Sequence, residues 1–377
     1  MKITHAVIRM LEVPLPAPGF RPAWSPRALE HVIGTTMVEL HTDVGLVGVG
    51  GTESQQGRAM AETIVSTIVP QLVGRDPLET EACIDVVRRA TRFGAAPWWV
   101  EMALWDLVGK LAGLPLWRMW GGGTPRLLAY ASTGELRSAE ARAQDCVRLR
   151  EAGFQAFKLR LHHESLREDV AVVEAARRAL GPDVALMVDA NQGLPTTPRW
   201  TPYRALETCQ ALAPLGVAWL EEPLGRHQYR ELGALRARSP IPIAGGETNQ
   251  DLEEFVALFE HRAFDIVQPD VTLSEGLWGH RHLARLAEAF GVQVVPHTWS
   301  SGFGFVANMH LAASLPGCPY LEYPHDPPSY PADLFQVPIQ SPPTPDSDGY
   351  VAPPAGPGLG IELDRDQVER YTVGRWE

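Results

Sequence analysis

The sequence predicts an α/β barrel preceded by a smaller α+β domain. Three observations carry that expectation. After about Arg126, eight short apolar runs of strand length alternate with helix-like stretches. The ends of those runs bear charged or titratable residues at a spacing of one β/α unit. Upstream, the chain shows strand-like alternation first and helical spacing afterwards, the pattern of a separate mixed domain.

In chain order, the runs KITHAVIRM, TTMVELHT and GLVGVGG predict a small antiparallel meander. From Gly57 to Met119 the apolar spacing becomes helical, as in AETIVSTIVPQLV, ACIDVVRRAT and WWVEMALWDLVGKLAG, with Pro and Gly at the ends. The barrel strands are LLAYAST, AFKLRL, ALMVDA, AWLEEP, IPIAGGE, FDIVQPD, VQVVPHT and YLEY. Between them lie helical stretches such as REDVAVVEAARRALG and LEEFVALFEHRA. Eight such strands favour a closed parallel barrel, with an open doubly wound sheet as the alternative. Residues 193–202, GLPTTPRWTP, lengthen the connection after the third strand and read as a surface insertion. From about Pro331 the chain is rich in Pro and Gly and too short for a core of its own, so it should pack back on the first domain.

A formal net charge of −12 argues against nucleic acid or an anionic membrane as partner, because both attract basic surfaces. A small-molecule ligand is the default. Cys83, Cys146, Cys209 and Cys318 are scattered without a C-x-x-C pair, which fits a reducing cytoplasm rather than a disulfide framework or zinc knuckle. No signal peptide and no membrane span is read from the apolar runs.

The chemistry is expected where the strands end: Lys158 and Arg160, Asp189, Glu221, Glu247, Asp270, His297 and Glu322. In a barrel those positions converge on one face. Asp189, Glu221 and Glu247 end three consecutive strands, and carboxylates that close require a cation among them. All-oxygen ligation favours Mg²⁺, with Mn²⁺ as a possible substitute. Spacing alone leaves Glu221 and Glu222 open as the second ligand. Asp270 and His297 end neighbouring strands, and a carboxylate on one ring nitrogen raises the basicity of the other, as a general base requires. Lys158 and Arg160, two residues apart on one strand, point the same way. A lysine can be tuned towards neutrality. Arginine sits about six units above it, a deficit of roughly 8 kcal/mol, so Arg160 is a clamp rather than a base.

These motifs, in this order, resemble the mandelate racemase subgroup of the enolase superfamily: VEMALWDLVGKLAGLPLWRMWGG, VDAN, WLEEP, GGET, QPD, PHT, LEY and PGLGIELD. The resemblance spans essentially the whole chain. It implies a modified TIM barrel, (β/α)7β, over residues 126–328, with an α+β capping domain from residues 1–125 and a C-terminal segment, 329–377, packing on the cap. It assigns Mg²⁺ to Asp189, Glu221 and Glu247, thereby choosing Glu221. His297 with Asp270 matches the base dyad, and Glu322 matches a residue that is protonated in relatives and hydrogen-bonds the substrate carboxylate. Family members are commonly homo-oligomers, often dimers or octamers.

The chain departs from the K-x-K pattern at Arg160, where relatives place a second catalytic lysine. A racemase or epimerase needs a base on each face of the carbanion, whereas a dehydratase needs one. The expected reaction is therefore dehydration of a sugar acid, aldonate or aldarate, to a 2-keto-3-deoxy acid. Racemisation is the runner-up, with a Schiff-base lyase on Lys158 and a silent acid-binding barrel as further rivals. Two cap loops, Ala17–Pro26 and Gly50–Gly57, should close over the site. In the first, Arg21 is a candidate for a distal carboxylate and Trp24 for excluding water. Ser132 and Asn191 are candidate polar contacts near the metal.

Overall fold

The structure, a computed structural model, describes residues 1–53, 57–90, 96–123, 125–194 and 199–377. Part of the second cap loop, 54–56, and part of the insertion, 195–198, lie outside the described residues.

The cap is an antiparallel sheet of β1 (Ile3–Pro14), β2 (Val32–Thr42) and β3 (Val47–Glu53), packed on helices. The chain continues through α1 (Gly57–Thr63), a π-turn and α2 (Val69–Leu72), then α3 (Thr80–Arg89), α4 (Trp98–Ala112) and α5 (Leu116–Met119). Helix α4 is buried almost all round, and it can approach β3 because two strand positions lack a side chain. A Cβ at Gly48 would lie 2.2 Å from the Ala103 carbonyl oxygen, and one at Gly50 2.1 Å from that of Trp99. Asp106 on α4 accepts from the backbone N–H of Val49 at 2.9 Å and of Leu359 at 2.8 Å, tying strand, helix and C-terminal segment together.

The barrel strands are β4 (Leu127–Ser132), β5 (Ala156–Arg160), β6 (Ala185–Asp189), β7 (Val217–Glu221), β8 (Ile243–Gly245), β9 (Ile266–Val267), β10 (Gln293–Val294) and β11 (Tyr320–Pro324). All pair in parallel, in the order β10-β9-β8-β7-β6-β5-β4-β11. Between β10 and β11 the seam is bridged by a side chain: Thr298 donates its Oγ1–H to the Glu322 carbonyl at 2.7 Å and its N–H to the Glu322 carboxylate at 3.0 Å. Tyr130, Met187, Trp219 and Ile266 fill the interior below the site, as expected of a packed barrel.

The helices between strands are α6 (Ala139–Glu151), α7 (Leu166–Leu180), α8 (Pro202–Leu212), α9 (Tyr229–Arg236), α10 (Leu252–Glu260), α11 (Gly276–Phe290) and α12 (Gly302–Ser314). Ser138, Ser165, Thr201, Asp251 and Ser301 cap five of them by accepting a backbone N–H. Helix α12 has no polar face because it is wedged between barrel and cap, so its sequence carries no amphipathic period.

The chain ends with α13 (Ala332–Phe335), β12 (Tyr350–Val351), α14 (Arg365–Tyr371) and β13 (Thr372–Trp376). Strand β13 pairs antiparallel with β1, so both chain ends share the cap sheet. This architecture is the α/β barrel with a capping sheet that the sequence predicts. Among the described residues no helix is long and apolar enough to cross a membrane, and the four cysteines are free.

Candidate active site

Parallel register sets the level of each strand-end side chain. Arg160 is the register partner of Asp189, and Asp189 of Glu221, so their inward side chains form one layer. Lys158, aligned with Ser132, lies one layer deeper.

Asp189, Glu221 and Glu247 offer ligand oxygens that all lie within 4.8 Å of one another, and all three residues are buried. Burial pushes each carboxyl pKa up, against the opposing pull of Arg160 and Lys158 on Asp189, Lys158 on Glu221 and His297 on Glu247. One Glu247 oxygen, Oε2, makes no well-aligned hydrogen bond and has His297 Nε2 3.2 Å away as its ion-pair partner. A buried, all-oxygen cluster of three carboxylates fits a hard divalent cation. Glu222, the other candidate, turns away: its Oε1 accepts from Thr248 Oγ1 at 3.0 Å and lies over Gly193, where a Cβ would come within 2.0 Å.

Across the site, His297 Nδ1 is 3.0 Å from Asp270 Oδ2 and its Nε2 is 3.2 Å from Glu247 Oε2. Asp270 is held by Thr272 N–H and Oγ1, each at 2.8 Å, and by Asn308 Nδ2 at 3.0 Å. It is thereby fixed as an acceptor that keeps a proton on Nδ1. Burial alone lowers the imidazole pKa, but the charges of Glu247, Glu322 and Asp270 outweigh it and raise it to about 10. His297 is thus an imidazolium at neutral pH while Glu247 faces it.

The opposite wall holds two cations. Lys158 Nζ lies 2.6 Å from Glu221 Oε1, 2.7 Å from Glu322 Oε1 and 3.7 Å from Asp189 Oδ2. Burial disfavours its charge, yet Glu221 and Glu322 prevail and raise its pKa. Arg160 pairs with Asp189, donates Nε–H to the Thr133 carbonyl at 2.8 Å, and stacks its guanidinium 4.7 Å from the Trp24 ring and 5.5 Å from that of Trp299.

Glu322 lies between the two walls. Burial raises its pKa, but without a metal ion the neighbouring Lys158, His297 and Arg160 outweigh this and hold it down at about 2. It accepts from Ser132 Oγ at 2.7 Å and from Thr298 N–H at 3.0 Å.

A cavity of about 300 Å³ opens between strand ends and cap. Trp24, Asn191, Arg160, Glu247, Asp270 and His297 line it. Asn191 accepts from Arg160 and gives its Nδ2–H to Asp189 at 3.0 Å. Ser132 is buried behind Arg160 and Trp299, outside the lining. Arg21 is exposed, and its guanidinium donates to the Pro26 and Ala28 carbonyls at 2.9 and 3.4 Å; it is likewise outside the lining. Sequence reasoning missed Gln268, which donates to Glu221 at 2.7 Å, and Trp299, whose position just after PHT was the available signal. It also missed Glu30 and Glu53, which line the cavity from the cap.

Comparison with known proteins agrees with this arrangement. Residues 22–121 match the family described as "Mandelate racemase / muconate lactonizing enzyme, N-terminal domain", and residues 141–367 that described as "Enolase C-terminal domain-like". The chain is 30% identical over 393 residues to the D-galactarolactone cycloisomerase of Agrobacterium fabrum, covering 99% of each. It is 30% identical over 354 residues to the arabinonate dehydratase of Saccharolobus solfataricus, covering 91% of each. The solved structure of L-talarate dehydratase from Polaromonas sp. JS666, complexed with Mg and L-glucarate, matches with a TM-score of 0.83 at 27% identity, over 100% of this chain and 98% of that one.

Proposed function

The chain belongs to the mandelate racemase / muconate lactonizing enzyme family of the enolase superfamily, and from that premise we propose that it is a Mg²⁺-dependent sugar-acid dehydratase. Asp189, Glu221 and Glu247 would hold the ion, which supplies Lewis-acid polarisation of the substrate carboxylate and lowers the acidity barrier at the alpha carbon. Similarity to Mg-bound and sugar-acid relatives supports both choices.

His297 is the group that moves protons. Its Nε2, facing the cavity, takes the C2 proton once neutral, while Asp270 keeps Nδ1 protonated. Negative charge that develops on the carboxylate is met by Arg160 and, from one layer below, by Lys158. The imidazolium then returns its proton to the 3-hydroxyl, the C3–O bond breaks, water leaves, and the enol product tautomerises to a 2-keto-3-deoxy acid. Trp24 and Trp299 cover Arg160 and keep water from it.

The observation that carries this reading is the absence, on the Lys158–Arg160 wall, of a group able to accept a proton. Both are buried cations locked to carboxylates. Lys158 keeps Glu322 at 2.7 Å even if Glu221 and Asp189 turn their charge to a metal, so it is equally unsuited to Schiff-base chemistry.

The test is to incubate the enzyme with Mg²⁺ and a library of aldonates and aldarates in D₂O, following 2-keto acid formation. Dehydration gives 2-keto acid with one substrate or a narrow set, abolished by EDTA. Recovery of epimerised acid carrying alpha deuterium, with no keto acid, would establish the racemase alternative instead.

A further inference from the structure

Five of the barrel helices are capped at the N-terminus by a side chain of their own, and α11 is not one of them. The residue before it, Glu275, has φ 47° and makes no side-chain bond to the first turn. The acceptor comes instead from the cap domain. Glu101, fully buried on α4, takes the backbone N–H of Trp278, the third residue of α11, on Oε1 at 2.8 Å. The same oxygen accepts the Trp105 indole N–H at 3.1 Å. The other oxygen, Oε2, lies against Gly276, the first residue of the helix, where a Cβ would come within 1.7 Å. Glycine fits there both for space and for a φ of 62°. The Trp278 side chain is held from the cap as well: Nε1 donates to Glu81 of α3 at 2.6 Å, and the ring lies 5.2 Å from that of Trp105.

This first turn follows directly on the loop that carries the partner of the base. Leu273 and Ser274 N–H donate to the Asp270 carbonyl at 3.0 and 3.1 Å, and Gly276 N–H to that of Ser274 at 2.5 Å. Residues 270–278 are thus one hydrogen-bonded segment, with Thr272, which holds the Asp270 carboxylate, in its middle. A shift in the start of α11 moves Asp270 against His297, which stands on the next strand. Among the described residues, no hydrogen bond joins this segment to Asp189, Glu221 or Glu247, so the same shift leaves the metal ligands in place.

We infer that Glu101 is a positioning residue: from the cap domain it closes the first turn of α11 and thereby holds Asp270 in place against His297. This rests on the proton-abstraction reading above only in that Asp270 serves the base. Burial pushes the Glu101 pKa up to about 8, so at neutral pH its carboxyl is largely uncharged. Its Oε1 then acts as a plain acceptor, a task that a glutamine amide oxygen can also perform. Thr272 and Asn308 still hold Asp270 when Glu101 is lost, which makes the effect partial.

The test compares full-length wild type with Glu101→Leu and Glu101→Gln. In the metal-free protein, the low-field proton resonance of His297 Nδ1–H, identified by its absence from His297→Asn, reports the bond to Asp270 without any substrate. Mg²⁺ affinity is read by calorimetry, and kcat and KM with the acid that the library screen identifies. Glu101→Leu should shift that resonance or broaden it away and lower kcat about tenfold, with KM and the Mg²⁺ Kd within about threefold of wild type. Glu101→Gln should restore the resonance and bring kcat back to within about threefold. An unchanged resonance and kcat in Glu101→Leu overturns the inference. So does a Mg²⁺ Kd that rises in step with the fall in kcat, since that is a general loosening of the barrel. Glu101→Gln as impaired as Glu101→Leu overturns it too, because charge rather than the acceptor would then matter. If Glu101→Leu does not fold, Gly276→Ala, which drives a methyl group onto Oε2, takes its place with the same expected pattern. If wild type turns over no acid, the dehydratase reading fails and the resonance alone decides this inference.

Discussion

The two walls of the site can be set side by side. On the β9–β10 wall, His297 lies between Asp270 at 3.0 Å and Glu247 at 3.2 Å, with a ring nitrogen that faces the cavity. On the β5 wall, Lys158 and Arg160 are as deeply buried, yet every direct polar partner shown for them fixes the protonated form. Both walls are cationic in the metal-free protein. The difference lies in how far each group is from losing its proton. An imidazole at about 10 falls within reach of neutrality if Glu247's charge is taken up by a cation, whereas lysine and arginine start higher and keep Glu322 and Asp189 beside them. One wall can exchange a proton and the other can only hold charge.

The largest effect that tests this contrast is on the base. His297→Asn should lower kcat by about 10⁴-fold, the upper range for losing a general base, with little change in substrate Kd. Asp270→Asn should lower kcat by a smaller factor, and an alpha-proton exchange assay in D₂O separates the two. Exchange at wild-type rate in His297→Asn would break the contrast by showing a base on the other wall.

The next effect concerns the His297–Glu247 pair. Because the folded imidazole pKa is raised from 6.5 to about 10, the pair stabilises the metal-free protein fully below about pH 6.5, and this is lost as pH rises through about 10. A cation bound to Glu247 competes with that proton. The apparent Mg²⁺ Kd should therefore fall as pH is raised from 6 to 9, by at most about tenfold per unit for one proton released. Calorimetry at several pH values reads it directly. A Kd independent of pH, with His297 resonances unmoved by Mg²⁺ in NMR, would detach the histidine from the metal cluster.

The smallest effect is on the holding wall. Arg160→Lys keeps the charge but loses the guanidinium's contacts with the Trp24 and Trp299 rings and the Nε–H bond to Thr133. It should cost about tenfold in kcat/KM, mostly through KM, with Trp fluorescence reporting a displaced cap loop. If the lysine instead conferred alpha-proton exchange with inversion, the wall would be one substitution from acting as a second base, which would sharpen why arginine occupies it.

Much of the site was legible in the chain because a parallel barrel turns one-dimensional spacing into a ring. A titratable residue at the end of each strand lands on one face, so Asp189, Glu221, Glu247, Asp270 and His297 could be named from spacing and motif together. The cap's composite origin was legible too, since a tail too short for its own core must borrow one. Helix α12 was not, because a segment buried on all sides has no polar stripe to mark its period.

What the sequence determined by itself was therefore the element order, the register of the strand-end groups and the chemical kind of each. Only the tertiary structure decided their charge states and their aim. The Glu322 pKa is lowered because Lys158, His297 and Arg160, from other strands, come close to its carboxylate, Lys158 at 2.7 Å. Arg21 lies off the cavity while Glu30 and Glu53 line it, because loop conformation and bridging partners set side-chain direction there. Period and motif fix which residues share a face. Protonation depends on distances between residues that the chain separates, and those exist only once the barrel and its cap have closed.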